Sequence, residues 1–255
     1  MDFESWGLVG NIMEQTALRA KWIEENGQGR EFYSDGYRVP TIEDQAMKIS
    51  EIFGVDFSGF PVALSELPCG AENNFVILDW HAVADNYSEA VGIAIEALVR
   101  KYSLRYKYFD FSEKALMRKP ETENCIRKIA QRQGGKDFLV IPAQSGIRNI
   151  GRHPGERRPL FPGEFDLSTW EAACMLIATE GRFALPKILG QCLDLLCAGD
   201  LSSGSEFDPE SGKFTPQAPV YTPRFFLGRK QIELGAQFSG ASHTYQGFAT
   251  GWAMG

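Results

Sequence analysis

Apolar residues recur at helical spacing in two stretches near the N-terminus. Residues 8–26 place Leu, Val, Ile, Met and Trp side chains at roughly helical intervals, and Gly27 stands where a helix would end. Thr41 and the residues after it have the character of a capping box, and the apolar stripe that follows ends at Gly54. The pattern therefore predicts two N-terminal helices.

Strand and helix patterns alternate between about residues 74 and 142. Short continuous apolar runs are typical of buried strands, whereas apolar positions three and four residues apart are typical of helices. The elements, in chain order, are a strand at Phe75–Leu78, a helix from Ser88 to Val99, a strand from Leu104 to Tyr108, a helix over about 121–133 and a strand at Phe138–Ile141. This order predicts a small α/β unit, and it does not decide whether the sheet is parallel.

The C-terminal part of the chain mixes helix, loop and hairpin patterns. Capping residues, apolar stripes, clusters of turn residues and strict alternation distinguish these elements. The predictions are a helix opened by Ser168 to Glu171, a helix from Ile188 to Leu196 that ends at Ala198-Gly199, a surface loop over 200–219, a hairpin from Phe225 to Phe238 with Gly228-Arg229 in a type II′ turn, and an apolar tail from Ser239 that docks on the body.

These elements predict an α+β (mixed α/β) fold with a helical N-terminal segment, a small central sheet with flanking helices and a C-terminal β-hairpin. The chain has 255 residues, of which 44% are hydrophobic and 23% charged, as is ordinary for a globular protein. A chain of this size buries roughly 70–75% of its unfolded surface. We expect one domain over 1–255. The alternative divides it into a helical segment, 1–70, and an α+β body, 71–255.

The basic segment 148–158 contrasts with the formal net charge of −7 that the whole chain carries. Guanidinium groups held close together repel one another unless an anion or an acidic surface neutralises them. The segment follows a predicted buried strand, and ligands in open α/β sheets usually bind beyond the carboxyl ends of strands. We therefore predict a site for an anionic small molecule or an acidic protein surface. Its residues are Arg148, Arg152, His153, Arg157 and Arg158.

The same basic segment has a second interpretation as a solvated loop. Its arginines would then pair with Glu156, Glu164 and Asp166, which are close in sequence. The segment contains neither a P-loop nor a dinucleotide-binding GxGxxG fingerprint, so no cofactor is identified. The acidic net charge also argues against non-specific binding of nucleic acid, which requires many contacts between basic side chains and phosphates.

A second cluster of candidate ligands follows the first predicted strand. Asp79, His81 and Asp85 stand at a strand end, where short side chains project rigidly and can bind a divalent metal. No HExxH or HxH pair supports this site. The alternative is that Asp79 or Asp85 caps a helix N-terminus and that His81 lies partly buried beside Trp80.

The cysteines and the N-terminus indicate a cytoplasmic protein. The five cysteines are odd in number and form no CxxC pair, and the first residues are acidic rather than those of a signal peptide. Cys125, Cys174 and Cys192 fall at apolar helical positions, where a free thiol packs as a small hydrophobe. No apolar run approaches the ~18 residues of a membrane span.

Three classes of function are compatible with these patterns, and the motifs do not decide whether the chain is an enzyme. The first is a non-catalytic interaction or regulatory protein that binds a partner or an anion through residues 148–158. The second is an enzyme for a phosphorylated or carboxylated small molecule, with a metal held by Asp79, His81 and Asp85. The third is an oligomer or a subunit of a larger assembly, cellular or viral, with the apolar tail around Trp252 as its interface.

Overall fold

The fold is of the α+β class, as predicted. The computed structural model describes residues 39–56, 67–68, 70–102, 105–106, 116–146, 161, 163–179, 194–203, 207–208, 213–214, 220–228, 231–238 and 246–253. Within these residues, four α-helices accompany a mixed sheet of ten strands and a separate two-stranded sheet. The helix predicted at 8–26 lies outside the described residues.

The elements are numbered here in chain order. The helices are α1 (Ile42–Phe53), a short 3-10 helix (Trp80–Ala82), α2 (Tyr87–Tyr102), α3 (Pro120–Arg132) and α4 (Thr169–Ala178). The strands are β1 (Asn73–Leu78), β2 (Arg105–Tyr106), β3 (Leu116–Arg118), β4 (Phe138–Ser145), β5 (Glu164–Asp166), β6 (Asp194–Leu196), β7 (Asp200–Ser203), β8 (Phe207–Asp208), β9 (Lys213–Phe214), β10 (Val220–Gly228), β11 (Gln231–Phe238) and β12 (Gln246–Trp252).

The large sheet is ordered β1-β4-β12-β6-β10-β11-β2, with β5 beside β12 and with β7 joining β3 to β10. β12–β6 and β11–β2 are parallel pairs, whereas β1 and β4 are antiparallel neighbours. β2 thus pairs far along the sheet from β1 and β4. The prediction of one α/β unit over 74–142 was wrong about β2, which does not lie beside β1 or β4. Periodicity identifies strands but not their neighbours.

Two helix starts illustrate how local polar groups set the boundaries. At the start of α1, the Thr41 hydroxyl accepts a hydrogen bond from the amide of Asp44 at 3.1 Å. The helix ends at Gly54, whose φ of +69° is a left-handed conformation that glycine adopts without strain. α2 begins at Tyr87, one residue before the predicted start at Ser88. The Asn86 side chain accepts the Glu89 amide at 2.9 Å, while the Ser88 hydroxyl donates to Leu116.

Residues 194–196 and 200–203 form strands where a helix end and a surface loop were predicted. Leu195 and Leu196 in β6 are buried between β10 and β12, and Asp200 begins β7, which pairs with β3 and β10. A short apolar run fits a buried helix as well as a buried strand, so the pattern alone could not separate them. The Ser/Gly/acid composition of the next residues suggested a loop, but tertiary pairing overrode it.

The predicted hairpin is present as the antiparallel β10–β11 pair. Gly228 is paired with Gln231 and belongs to β10, whereas the prediction placed it in the turn; residues 229–230 lie outside the described residues. The tail docks as predicted, and it does so as β12, between β4 on one side and β5 and β6 on the other. Trp252 is only 1% exposed, which leaves it no apolar surface for a partner.

The main core lies where α1, α2 and α4 cover the β1–β4 end of the sheet. α4 is buried along its whole length, and its Trp170 indole donates to the carbonyl of Leu78 at 2.5 Å. Cys125 and Cys174 are buried, as their apolar helical positions predicted. None of the four described helices is long and apolar enough to cross a membrane.

Gly199 marks a close approach of two backbone segments and yields a test of the fold. A Cβ at this position would lie 2.7 Å from Leu167 C and Ser168 N. Backbone atoms cannot move aside as a side-chain end does, so Gly199→Ala should lower the free energy of unfolding by about 1–3 kcal/mol. Denaturant titration measures this loss.

Gly92→Ala is the matched control for this substitution. Gly92 lies within α2, and a Cβ there would have no neighbour within 4 Å. Because alanine favours a helix over glycine, this variant should be more stable than wild type by up to about 1 kcal/mol. Equal loss of stability in both variants would contradict the close approach at Gly199.

Candidate functional site

Charged and hydroxyl side chains from five elements meet at the N-terminus of α4, and all of them except Glu123 lie mostly in the interior. Residues of this kind are seldom fully buried unless they are paired. We call this group the α4 cluster. Its members are Tyr87 at the start of α2, Arg118 at the end of β3, Glu123 of α3, Ser168, Thr169 and Glu171 at the start of α4, and Asp200 at the start of β7.

Glu171 is held by a capping box and by an arginine. Its Oε2 accepts the backbone amide of Ser168 at 2.9 Å and also the Ser168 hydroxyl, and its Oε1 accepts Nη2 of Arg118. Nη1 of Arg118 donates to Oε2 of Glu123 at 2.8 Å. Glu171 is fully buried, so the guanidinium supplies the countercharge that a carboxylate requires in the interior.

Asp200 occupies the other side of the cluster. The hydroxyl of Tyr87 donates to both of its carboxylate oxygens, at 2.8 and 2.9 Å, and the backbone amide of Thr169 donates to Oδ2 at 2.6 Å. Thr169 is the first residue of α4, where amide groups have no partner within the helix and favour negative charge. The guanidinium of Arg118 lies 4.8 Å from the centre of the Tyr87 ring.

Burial, followed by the charges of neighbouring groups, shifts the pKa values in this cluster. Burial raises the pKa of Asp200 to about 6, although the hydrogen bonds from Thr169 and Tyr87 and the charge of Arg118 work against the rise. Burial and then the Asp200 carboxylate raise the pKa of the Tyr87 phenol well above its ordinary value. Burial opposes the charge of Arg118, but Glu171, Tyr87 and Glu123 together outweigh it and the pKa of the guanidinium rises.

The geometry suits the α4 cluster to fixing the positions of elements. Arg118 and Asp200 are opposite each other in the β3–β7 pair, and backbone hydrogen bonds join the same region, from Gly199 to Leu167 and from Lys119 to Gly199. Asp200 is 1% exposed and Glu171 fully buried, so a substrate in solution has no direct contact with either carboxylate. Chemically, the cluster can hold or release one proton at Asp200.

The predicted ligands at the end of β1 form a smaller contact on the surface. Asp79 Oδ1 lies 2.7 Å from His81 Nδ1 and also accepts the His81 backbone amide, so Asp79 caps the 3-10 helix. The His81 side chain is 61% exposed, and its ring stacks on Trp80 with centroids 3.6 Å apart. Asp85 is exposed two residues before α2.

A complete metal site is not assembled in this part of the chain. Among the residues that the structure describes, no three His, Cys, Asp or Glu side chains are grouped so that they could hold a metal ion. Asp79 and His81 therefore supply two neighbouring donors, and a metal there would need further ligands. Histidines that bind metals or transfer protons are nevertheless often oriented by a carboxylate, as His81 is by Asp79.

The predicted anion-binding residues Arg148, Arg152, His153, Arg157 and Arg158 lie outside the described residues. The strands that flank their segment are described. Ser145, the last residue of β4, donates through its hydroxyl to Glu72 Oε2 at 2.9 Å. Glu164, the first residue of β5, is buried, and its Oε1 accepts the Thr250 hydroxyl at 2.6 Å. Carboxylates are therefore present at the last residue of β4 and at the first residue of β5, the described residues on either side of the basic segment in the sequence.

Sequence reasoning missed Tyr87, Arg118 and Asp200 as parts of one cluster. The capping box of Ser168 and Glu171 was predicted and is confirmed. The remaining signal was weak, because Arg118 is one charge in an ordinary polar stretch and Asp200 stood at the start of an apparent loop. Contacts such as Tyr87 to Asp200 join residues far apart in the chain, and one sequence contains no trace of them.

Comparison with known proteins gives no family and no relative. No family model, no curated protein and no solved structure matches this chain. Function must therefore be inferred from the chemistry of the chain's own residues.

The raised pKa of Asp200 predicts a specific pH dependence of stability. Folding raises this pKa, so the carboxyl stabilises the fold fully below about pH 4, and that contribution is lost as the pH rises through about 6. Relative to Asp200→Asn, the free energy of unfolding of wild type should fall by about 2 kcal/mol between about pH 4 and pH 7. Urea titrations across this range measure the difference.

Asp85→Asn is the control for this measurement, since Asp85 is an exposed aspartate outside the α4 cluster. Its free energy of unfolding should follow that of wild type at every pH. If Asp200→Asn also ran parallel to wild type across the whole range, the proton at Asp200 would have no part in stability.

Proposed function

We propose that this protein is a non-catalytic binding or regulatory protein that recognises an anionic ligand, or an acidic surface of a partner, through residues 148–158. The observation that carries this proposal is the concentration of four arginines and one of three histidines in a chain of net charge −7. Arginine binds carboxylates and phosphates through two parallel hydrogen bonds, and several arginines together form a clamp.

The position of this segment supports the proposal. It connects β4 with β5, and both of these strands pair with β12 in the large sheet. Rigid strands at both ends of a segment reduce the entropy lost when it binds a ligand. Ser145 and Glu164, which flank it, are themselves buried and hydrogen-bonded.

The chemistry of the described interior also favours binding over catalysis. Arg118 donates to Glu171, and the backbone amide of Thr169 donates to Asp200. Both carboxylates are buried and so are shielded from water. Burial also raises the pKa of the Cys174 and Cys197 thiols, which disfavours the nucleophilic thiolate. These groups serve the fold, and the arginines of 148–158 are the chain's main concentration of basic charge.

Titration with inorganic phosphate tests the proposed function. Wild type should bind phosphate with an affinity that falls as salt is added, and Arg148→Ala and Arg152→Ala should each weaken binding by about tenfold or more, since a hydrogen bond to a charged group contributes roughly 1.5–3 kcal/mol. Isothermal titration calorimetry at two salt concentrations measures both effects.

The control is Arg127→Ala, which removes an exposed arginine from α3. This variant should bind phosphate as wild type does. Equal affinity in all four proteins would contradict the anion site. Loss of stability in Arg148→Ala and Arg152→Ala, with unchanged phosphate binding, would mean instead that these arginines pair internally with acids of the chain.

A second candidate function is a metal-dependent enzyme, and the contact between Asp79 and His81 favours it. The 2.7 Å contact orients an exposed imidazole at the carboxyl end of β1. Such a histidine can ligate a metal, which would activate water or polarise a phosphoryl or carboxyl oxygen of an anionic substrate. Asp79 and His81 would hold the metal, and the arginines of 148–158 would bind the substrate.

Metal content decides whether this candidate stands. In protein purified without chelator or affinity tag, elemental mass spectrometry should find a stoichiometric transition metal that His81→Ala loses. Glu96→Gln, which changes an exposed acid on α2, should keep it. Absence of a stoichiometric metal in wild type, or equal metal in both variants, would remove the metalloenzyme.

A further inference from the structure

A glutamine of α1 binds the outer edge of β1. Gln45 is fully buried, and its Oε1 accepts the backbone amide of Val76 at 2.9 Å while its Nε2 donates to the carbonyl of Asn74 at 3.2 Å. Nε2 also donates to the carbonyl of Pro40 at 3.0 Å. One side-chain amide thus bridges two residues of a strand, as a residue of a parallel neighbouring strand would.

A glutamine at the end of α3 does the same for β4. Gln133 donates through Nε2 to the carbonyl of Val140 at 2.7 Å and accepts the amide of Val140 through Oε1 at 2.9 Å. Here the side-chain amide exchanges both hydrogen bonds with a single residue, which is the pattern of an antiparallel neighbour.

The two glutamines act at the same register position, on opposite sides of the β1–β4 pair. Val76 is paired with Val140, and the backbone groups of both residues point away from the partner strand, since each binds a glutamine. Alternation along an antiparallel pair then directs the amides of Phe75 and Ile77 toward β4.

Other groups cover the neighbouring edge positions. On β1, the carbonyl of Leu78 accepts the Trp170 indole of α4. On β4, Pro142 is opposite Asn74 and has no backbone N–H, so it offers no donor on the outer side, and β12 pairs with β4 from Ala143 onward. Side chains thus bind outward-facing backbone groups of Asn74, Val76, Leu78 and Val140, and β12 covers β4 from Ala143 onward.

We propose that Gln45 and Gln133 are edge caps that prevent the β1–β4 pair from adding a strand of a second copy of this chain. Exposed edges of apolar strands are templates for pairing with another chain. β1 is the end strand of the sheet and Phe75 to Leu78 are apolar, so its outer edge would be such a template if α1 were not bound to it. A side chain that imitates a peptide group closes the edge and also holds its helix against the sheet.

Amide hydrogen exchange measured by NMR in Gln45→Leu tests the proposal. Leucine fills similar space but cannot bind Val76, so the Val76 amide should exchange at least about tenfold faster relative to the amides of Phe75 and Ile77 than in wild type. Sedimentation velocity over a range of concentrations should show that the variant self-associates more strongly than wild type. Gln133→Leu should give the corresponding result at Val140.

Two further variants keep the test decisive. Gln131→Leu introduces leucine at an exposed position of α3, so it should leave exchange and assembly as in wild type. If Gln45→Leu does not fold, Gln45→Glu retains the acceptor for Val76 and should keep that amide protected. Equal acceleration at Phe75, Val76 and Ile77, an unprotected Val76 in Gln45→Glu, or unchanged assembly in the leucine variants would overturn the edge caps.

Discussion

The contact between Arg118 and Glu171 is the constraint on which the arrangement of the other elements depends. A charge pair removed from water is tolerated only if both partners keep their hydrogen bonds, and this one joins β3 to the first turn of α4. Because Arg118 lies opposite Asp200, the same requirement also places the start of β7. The close approach of Gly199 to Leu167 is the backbone counterpart of this side-chain cluster.

A second group of buried polar contacts attaches helices to the edges of the sheet. Gln45 and Gln133 bind strand backbone, and the Trp170 indole binds the carbonyl of Leu78. In each case a polar group that is costly to bury satisfies a backbone group that is equally costly to leave unpaired. Polar groups therefore determine how α1, α3 and α4 are positioned, while the apolar core supplies most of the driving force.

The distribution of charge separates the groups that serve the fold from the group proposed to serve function. Arg118, Glu171 and Asp200 of the α4 cluster are buried, with Arg118 bound to Glu171 and Asp200 bound to Tyr87 and Thr169. The arginines of 148–158 belong to a segment between two buried strands in an acidic chain. A binding role for that segment and a structural role for the cluster account for both sets of charges without requiring catalysis.

Local pattern in the sequence determined the α+β class, α1 with its Thr41 and Gly54 boundaries, the capping box of α4, the β1 and β4 strands and the β10–β11 hairpin. These features depend on residues within a few positions of one another. Tertiary structure decided that 194–196 and 200–203 are strands, that the tail is the central β12, and that Tyr87, Arg118 and Asp200 meet. Those outcomes depend on partners outside the local sequence window, up to 113 residues away for Tyr87 and Asp200, and only the packed core brings such partners together.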